Sequence, residues 1–387
     1  MARNIRVGIT HGDYNGVGYE VMLKALADDQ IPEIFTPVLF ADMRLIERAA
    51  KELQIQLPPM AAVASAAEAR DGRINVVDLR LPDIKVEPGQ PDAASGAAAV
   101  KALEEAVAAV KEGDIDVIVT APISKEAVQS DAFHFPGHTE YLADRAGDGF
   151  KAQMILFEDS LRVALVTTHL PISEIPQAIT RERVADTVRR FDAVLRQDFG
   201  IERPRIAVLG LNPHCGDGGV IGSEEKEQII PAINDLADEG IMAFGPFSSD
   251  AFFASDRGYR NFDGVVAMYH DQGLAPFKTI ARTGGVNFTA GLPFVRTSPD
   301  HGTACDIAWK GIADPQSMRE AIYRAIDIFR TRRRHLQAAR NPLRKAPKPD
   351  RADKRKDDHK DELKEANKEP RKEDRPEQQP KTNDQQS

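Results

Sequence analysis

VALVTTH (Val163–His169), IAVLGLNPH (Ile206–His214) and VVAMYH (Val265–His270) are three apolar runs that each end on a histidine. Each has the length and β-branched content of a buried strand. Open α/β sheets bind ligands beyond the carboxyl ends of their strands, so a strand that ends on an imidazole delivers it to that edge. Three such deliveries point to a divalent metal site built from neutral imidazoles, with His169, His214 and His270 as candidate ligands. Singly, each is as readily a hydrogen-bonded loop residue, and the sequence alone does not show that they converge.

Outward from these runs, strand and helix patterns alternate. Ile5–Ile9, Pro37–Ala41, Ile74–Leu79 and Ile115–Thr120 read as strands, and Gly96–Glu112 as a helix with an Ala, Leu and Val stripe. Strands at Gln153–Phe157 and Leu161–Thr167 flank the short turn Glu158-Asp159-Ser160 and predict a hairpin. Helices follow at Arg181–Asp198, Ser223–Ala237 and Pro315–Arg332, with strands at Arg205–Leu211 and Gly264–Tyr269 between them. The alternation predicts an α/β fold with a mixed, largely parallel sheet.

The 387 residues are 42% hydrophobic and 29% charged, a globular composition. No apolar stretch has the ~20 residues a membrane span requires, and Met1–Arg6 leads into a strand without a signal-peptide core. Cys215 and Cys305 are the only cysteines, which fits a reducing cytoplasm. Cys215, next to His214, is either a soft metal ligand or a small buried residue. Net charge −9 without an aromatic-basic stripe argues against a nucleic-acid surface. Residues 346–387 hold 12 Lys+Arg and 12 Asp+Glu, leaving 39 and 48 for the rest, so the whole −9 lies before Ala346. That segment, with Leu363 as its one large apolar side chain, reads as a solvated tail without catalytic duty.

Neither Gly12-Asp-Tyr-Asn-Gly16-Val-Gly18 nor Gly216-Asp-Gly218-Gly219-Val-Ile-Gly222 fits the dinucleotide fingerprint G-x-G-x-x-G, and no Walker lysine motif exists. Both loops suit either an anion-binding backbone or a plain tight turn. In Pro136-Gly-His138-Thr139-Glu140, Thr139 is a candidate helix N-cap and His138 a candidate donor or proton carrier. Lys278, Asn287 and Arg296 punctuate an otherwise apolar, Gly-rich segment and suit a phosphate or carboxylate substrate.

Asp300-His301-Gly302-Thr303-Ala304-Cys305-Asp306-Ile307-Ala308 resembles the loop with which isocitrate and isopropylmalate dehydrogenases hold the adenosine of their nicotinamide cofactor. Further strings are Gly137-His-Thr-Glu140, Thr167-Thr-His-Leu-Pro171, Leu211-Asn-Pro-His214, Ala267-Met-Tyr-His-Asp-Gln-Gly273 and Gly291-Leu-Pro-Phe294 with Arg296-Thr297. In this order, over residues 5–333, the chain resembles the PdxA family of pyridoxal phosphate biosynthesis, the 4-hydroxythreonine-4-phosphate dehydrogenases.

The resemblance implies two α/β/α domains with the active site in the cleft between them, as in the isopropylmalate dehydrogenases. Residues 1–135 with 288–340 would form a discontinuous domain carrying the cofactor loop. Residues 136–287 would form a second, with metal and dimer contacts, and 346–387 the tail. It implies one divalent cation (Zn, Mg or Co) held by His169, His214 and His270 across a homodimer. It implies substrate contacts from His138, Thr139, Lys278, Asn287 and Arg296, and NAD or NADP on His301, Gly302, Thr303, Ala304 and Asp306. The implied reaction is oxidation and decarboxylation of 4-phosphohydroxy-L-threonine to 3-amino-2-oxopropyl phosphate. A sister dehydrogenase of 4-phospho-erythronate or 4-phospho-threonate is the alternative. The hydroxyl proton has three candidate acceptors, Lys278, Asp271 and a hydroxide on the metal, and Asp271 has an equal claim as the group that orients His270. The chain departs from the family's usual TPGEPAGIGPE at Thr10-His-Gly-Asp-Tyr-Asn-Gly-Val-Gly-Tyr-Glu20, has Cys215 where Ala is common, and adds the tail.

Two other classes are weaker. A three-histidine hydrolase or lyase lacks a general-base motif such as HExxH, and a silent scaffold has no use for three strand-end histidines.

Overall fold

The computed structural model describes residues 3–340 other than 83, 131, 132, 148 and 255, so the tail expected at 346–387 lies outside the described residues. Twelve strands form one mixed sheet: β1 Arg6–Thr10, β2 Thr36–Ala41, β3 Met60–Val63, β4 Ile74–Asp78, β5 Val117–Thr120, β6 Gln153–Phe157, β7 Arg162–Leu165, β8 Arg205–Leu209, β9 Met242–Phe247, β10 Gly264–Ala267, β11 Val286–Ala290 and β12 Val295–Pro299. Their order is β3-β4-β2-β1-β5-β12-β11-β6-β7-β10-β8-β9. Only the three central junctions, β12/β11, β11/β6 and β6/β7, are antiparallel. Both wings are parallel. The mixed, largely parallel α/β sheet is therefore present, and the β6–β7 hairpin accounts for part of its mixed character.

Helices cover the faces: α1 Gly18–Ala25, α2 Met43–Glu52, α3 Ala93–Glu112, α4 His138–Ala146, α5 Arg181–Gln197, α6 Ile230–Asp238, α7 His270–Ala281 and α8 Gln316–Ala339. The inner wing strands are largely apolar on both faces, as buried parallel strands must be, with β2 buried along its whole length, while the edge strands β3 and β9 are partly exposed. Asp92 caps α3 in a reciprocal capping box with Ser95, and Gly113 closes it in the left-handed conformation. Among the described residues no helix is long and apolar enough to cross a membrane.

Two expectations change. The run Val265–His270 is strand only to Ala267, and His270 opens α7 rather than closing β10. Gly273 and Pro276 mask a helix in the sequence, yet burial of Leu274 and Phe277 holds α7 against the sheet. Thr139 is not an N-cap, because α4 begins at His138 with Gly137 in the capping position.

Candidate active site

β7, β10 and β8 are parallel neighbours in that order. His169, His270 and His214 follow their carboxyl ends, so the three leave one edge of the sheet with His270 in the middle. His169 and His270 line a cavity of about 290 Å³, and their rings lie 6.2 Å apart. His214 is exposed and does not line that cavity. Among the described residues of the single chain, no group of three or more His, Cys, Asp or Glu is disposed to hold a metal.

α7 carries the edge into the cavity. It starts at His270 and crosses the sheet, so His270, Leu274 and Lys278, one helical face at i, i+4 and i+8, all line the same space. The His270 Nδ1 lies 2.6 Å from Asp271 Oδ1. With its proton on Nδ1, the ring directs the lone pair of Nε2 outward, the arrangement of a metal-ligating imidazole. Burial, then the positive charge of Lys125, holds the His169 pKa below its ordinary value and favours the neutral ring. Two imidazoles beside one cavity, one of them oriented by a carboxylate, suit a divalent cation as donors.

The opposite wall is cationic. Arg296 on β12 is 2% exposed, and its guanidinium donates only to hydroxyls: Nε and Nη2 to Thr120 at 3.2 and 2.5 Å, Nη1 to Thr289 at 2.9 Å. Burial pushes its pKa down to about 9, so it stays charged at neutral pH. Lys278 Nζ donates to the Asp300 carbonyl at 3.3 Å. The buried Oδ1 of Asn287 accepts from no group among the described residues. His138 opens α4, whose first-turn N–H groups have no side-chain cap. Burial and the neighbouring Arg296 charge drive its pKa well below the ordinary histidine value. A buried cation that bonds no carboxylate among the described residues, beside an open helix N-terminus, has the chemistry to receive an anion.

His138, Thr139, His169, His270, Lys278, Asn287 and Arg296 thus meet in one cavity, together with His301 and Gly302. Asp271 reaches it through its bond to His270. Reasoning from the sequence passed over three cavity residues, Lys125, Glu140 and Asp300. Glu140 and Asp300 stood inside motif strings already singled out; Lys125 had no such signal. Burial raises the Asp300 pKa, with Lys278 and Ser317 opposing.

Thr303, Ala304 and Asp306 continue past the cavity against the first loop. Val17 N donates to Thr303 O at 3.0 Å, and Trp309 Nε1 to Tyr14 O at 2.9 Å. A Cβ on Gly16 would lie 2.9 Å from Thr303 O, and one on Gly89 2.6 Å from Cys305 O. Glycine permits that close approach. The buried Nε2 of His301 has no partner among the described residues. An orphaned polar atom on a loop this tightly seated is one a nucleotide could satisfy. Cys215 packs against Gly210, and burial together with the Glu225 charge raises its thiol pKa. That favours the packing role over a thiolate ligand.

A family model described as pyridoxal phosphate biosynthetic protein PdxA matches residues 33–325. A Bacteroides thetaiotaomicron protein named 4-hydroxythreonine-4-phosphate dehydrogenase is 52% identical over 88% of this chain and 93% of its own. A Cupriavidus necator protein named D-threonate 4-phosphate dehydrogenase is 42% identical over 83% and 96%. The crystal structure of a Klebsiella pneumoniae 4-hydroxythreonine-4-phosphate dehydrogenase superposes with a TM-score of 0.74 at 36% identity, covering 85% of this chain and 99% of that one. The matches run through both wings of the sheet and the cavity, and the chain belongs to the PdxA family.

Proposed function

We propose that the protein is an NAD(P)- and divalent-metal-dependent dehydrogenase that oxidises and decarboxylates 4-phosphohydroxy-L-threonine to 3-amino-2-oxopropyl phosphate in pyridoxal phosphate biosynthesis. The observation that carries this reading is Arg296, a buried guanidinium bonded only to hydroxyls in the cavity that also holds His169 and His270. That pairs a phosphate site with a metal-competent site in one cavity.

Arg296, Lys278, Asn287 and the first turn of α4, with His138 and Thr139, bind the phosphate. His169 and His270 supply two metal ligands, and a second copy supplies His214, which is exposed beside Val220 and Ile221, 83% and 44% exposed. Such a homodimer buries these apolar side chains and completes a three-imidazole set. A bound cation would supply Lewis acidity toward the substrate hydroxyl and the charge left by decarboxylation, and a bound nicotinamide would supply the hydride acceptor. The loop at His301, Gly302, Thr303, Ala304 and Asp306 orients that cofactor. Asp271 fixes the His270 tautomer, and Lys278, which lines the same cavity, moves the hydroxyl proton. The 1–135/288–340 and 136–287 segments act as the two domains flanking the cleft, and two free cysteines suit a reducing cytoplasm.

The D-threonate 4-phosphate relative supports a second reading with the same phosphate and metal contacts. Assays of the purified protein with each phosphorylated acid, NAD or NADP and Zn, Mg or Co, followed at 340 nm, decide. Turnover of 4-phosphohydroxythreonine with the higher kcat/KM is expected. Turnover of the threonate alone selects the second reading, and none with either acid defeats both.

A further inference from the structure

We propose that Glu225 is a positioning residue that locks His214 into the backbone conformation in which it serves as a metal ligand; this rests on the reading of His214 given above. Residues 214–218 form a continuous left-handed run, with φ of 52, 53, 76, 43 and 65°. Three of them, His214, Cys215 and Asp217, have side chains that disfavour it. Such a turn persists only where its surroundings over-determine it. His214 is exposed and makes no hydrogen bond among the described residues, so its own side chain does not hold it there.

The restraint lies underneath. Glu225 is buried and sits in a one-turn π-helix at Glu225–Ile229. Its Oε1 accepts from Leu211 N at 2.7 Å and Asn212 N at 2.6 Å, and its Oε2 from Asn212 Nδ2 at 3.0 Å. Asn212 Nδ2 also donates to Glu224 Oε2 at 2.7 Å, which takes Ser223 N at 3.1 Å. A Cβ on Gly216 would stand 2.9 Å from Glu225 Oε2, and one on Gly210 3.1 Å from Oε1, so the carboxylate fills the space beneath the turn. No cation pairs with it among the described residues. The charge is satisfied by amides that lead into the left-handed run, and relaxing the run would strip them from a buried carboxylate. None of Leu211, Asn212, Glu224 and Glu225 lines the cavity; the network acts through the 210–214 segment, which carries His214 and whose Gly210 carbonyl accepts from Gln272 Nε2 at 2.5 Å.

The test is zinc affinity of the full-length protein, measured by competition with a chromogenic chelator, alongside NAD affinity, unfolding midpoint and oligomeric state. Glu225→Gln keeps one carbonyl acceptor but loses the charge. It is expected to weaken zinc binding about 10-fold or more, within the range for groups that orient a ligand, with NAD affinity unchanged and turnover recovered at high zinc. Asn212→Ala removes one bond to the same carboxylate and is expected to act in the same direction, a second route if Glu225→Gln folds poorly. Zinc affinity lost in His214→Ala but unchanged in both other variants overturns the positioning role alone. Unchanged affinity in His214→Ala defeats the ligand reading, and the positioning role with it.

Discussion

The guanidinium of Arg296 grips Thr120 on the adjacent parallel strand with two nitrogens, at 3.2 and 2.5 Å, so a cation from β12 is braced by the last residue of β5. The brace orients a charge that no carboxylate among the described residues bonds directly, Glu140 acting on it only at longer range, and the remaining capacity faces the cavity. Charge-assisted bonds of this kind contribute ~1.5–3 kcal/mol each. Arg296→Ala is therefore expected to lower kcat/KM for the phosphorylated substrate by roughly 100-fold, mostly through KM. Arg296→Lys is expected to recover little of it, because an ammonium lacks the planar fork. Inorganic phosphate should compete with substrate in the wild type and not in Arg296→Ala; equal inhibition of both would place the phosphate elsewhere.

His11 offers a pH prediction. The ring is fully buried, stacks on Tyr19 at 5.1 Å, and neither nitrogen has a hydrogen-bond partner among the described residues. Burial lowers its pKa from 6.5 to about 4. The unfolded chain therefore binds the proton more readily than the folded one between those values, and stability falls as pH drops through that window. The full contribution, present above pH ~6.5, is at most about 3 kcal/mol. Urea unfolding at pH 7 and pH 4.5 should show wild type losing about 2–3 kcal/mol more than His11→Phe. Parallel losses in the two proteins would mean that the ring is not buried neutral.

Subunit complementation separates the histidines. His169 and His270 share one cavity, whereas His214 lies outside it. Mixed dimers of His214→Ala with His270→Ala chains contain one intact set of three and should regain up to half the activity. Mixed dimers of His169→Ala with His270→Ala have no intact set and should stay inactive. Recovery in the second pairing, with none in the first, would reverse the assignment of ligands to subunits.

Most strands that are buried and apolar on both faces were legible, as were the helices with an unbroken stripe, because burial writes itself directly into residue type; the short, half-exposed edge strand β3 was not. β11 and β12 were not: Asn287, Thr289, Arg296, Thr297 and Ser298 look like loop composition, yet they are buried or half-buried in the sheet around the cavity. β9 hides Pro246 in an edge strand, where a missing N–H is tolerated. The polar residues of the cavity wall were readable as types out of place in an apolar segment, but Lys125 arrives from a loop with no pattern of its own. The left-handed turn under His214 was invisible, since two of its five residues are glycines that suit many conformations.

The first loop packs closely against the loop at 301–306, which is proposed to hold the cofactor. Gly16 approaches the Thr303 carbonyl so closely that a Cβ would stand 2.9 Å from it, tighter than real side chains allow. Gly16→Ala must push Thr303 and its neighbours away from Val17, whose N–H holds that carbonyl at 3.0 Å. His169 and His270 lie on other elements and should be untouched. The expected result is NAD affinity weakened about 10-fold, ~1.4 kcal/mol, with zinc content unchanged. Trp309 supplies the readout: it is the sole tryptophan, it closes this loop, and its Nε1 is tied to Tyr14 O. Its emission should change on NAD titration in the wild type, and at higher concentrations in Gly16→Ala. Identical titrations for the two proteins would remove this loop from the cofactor site.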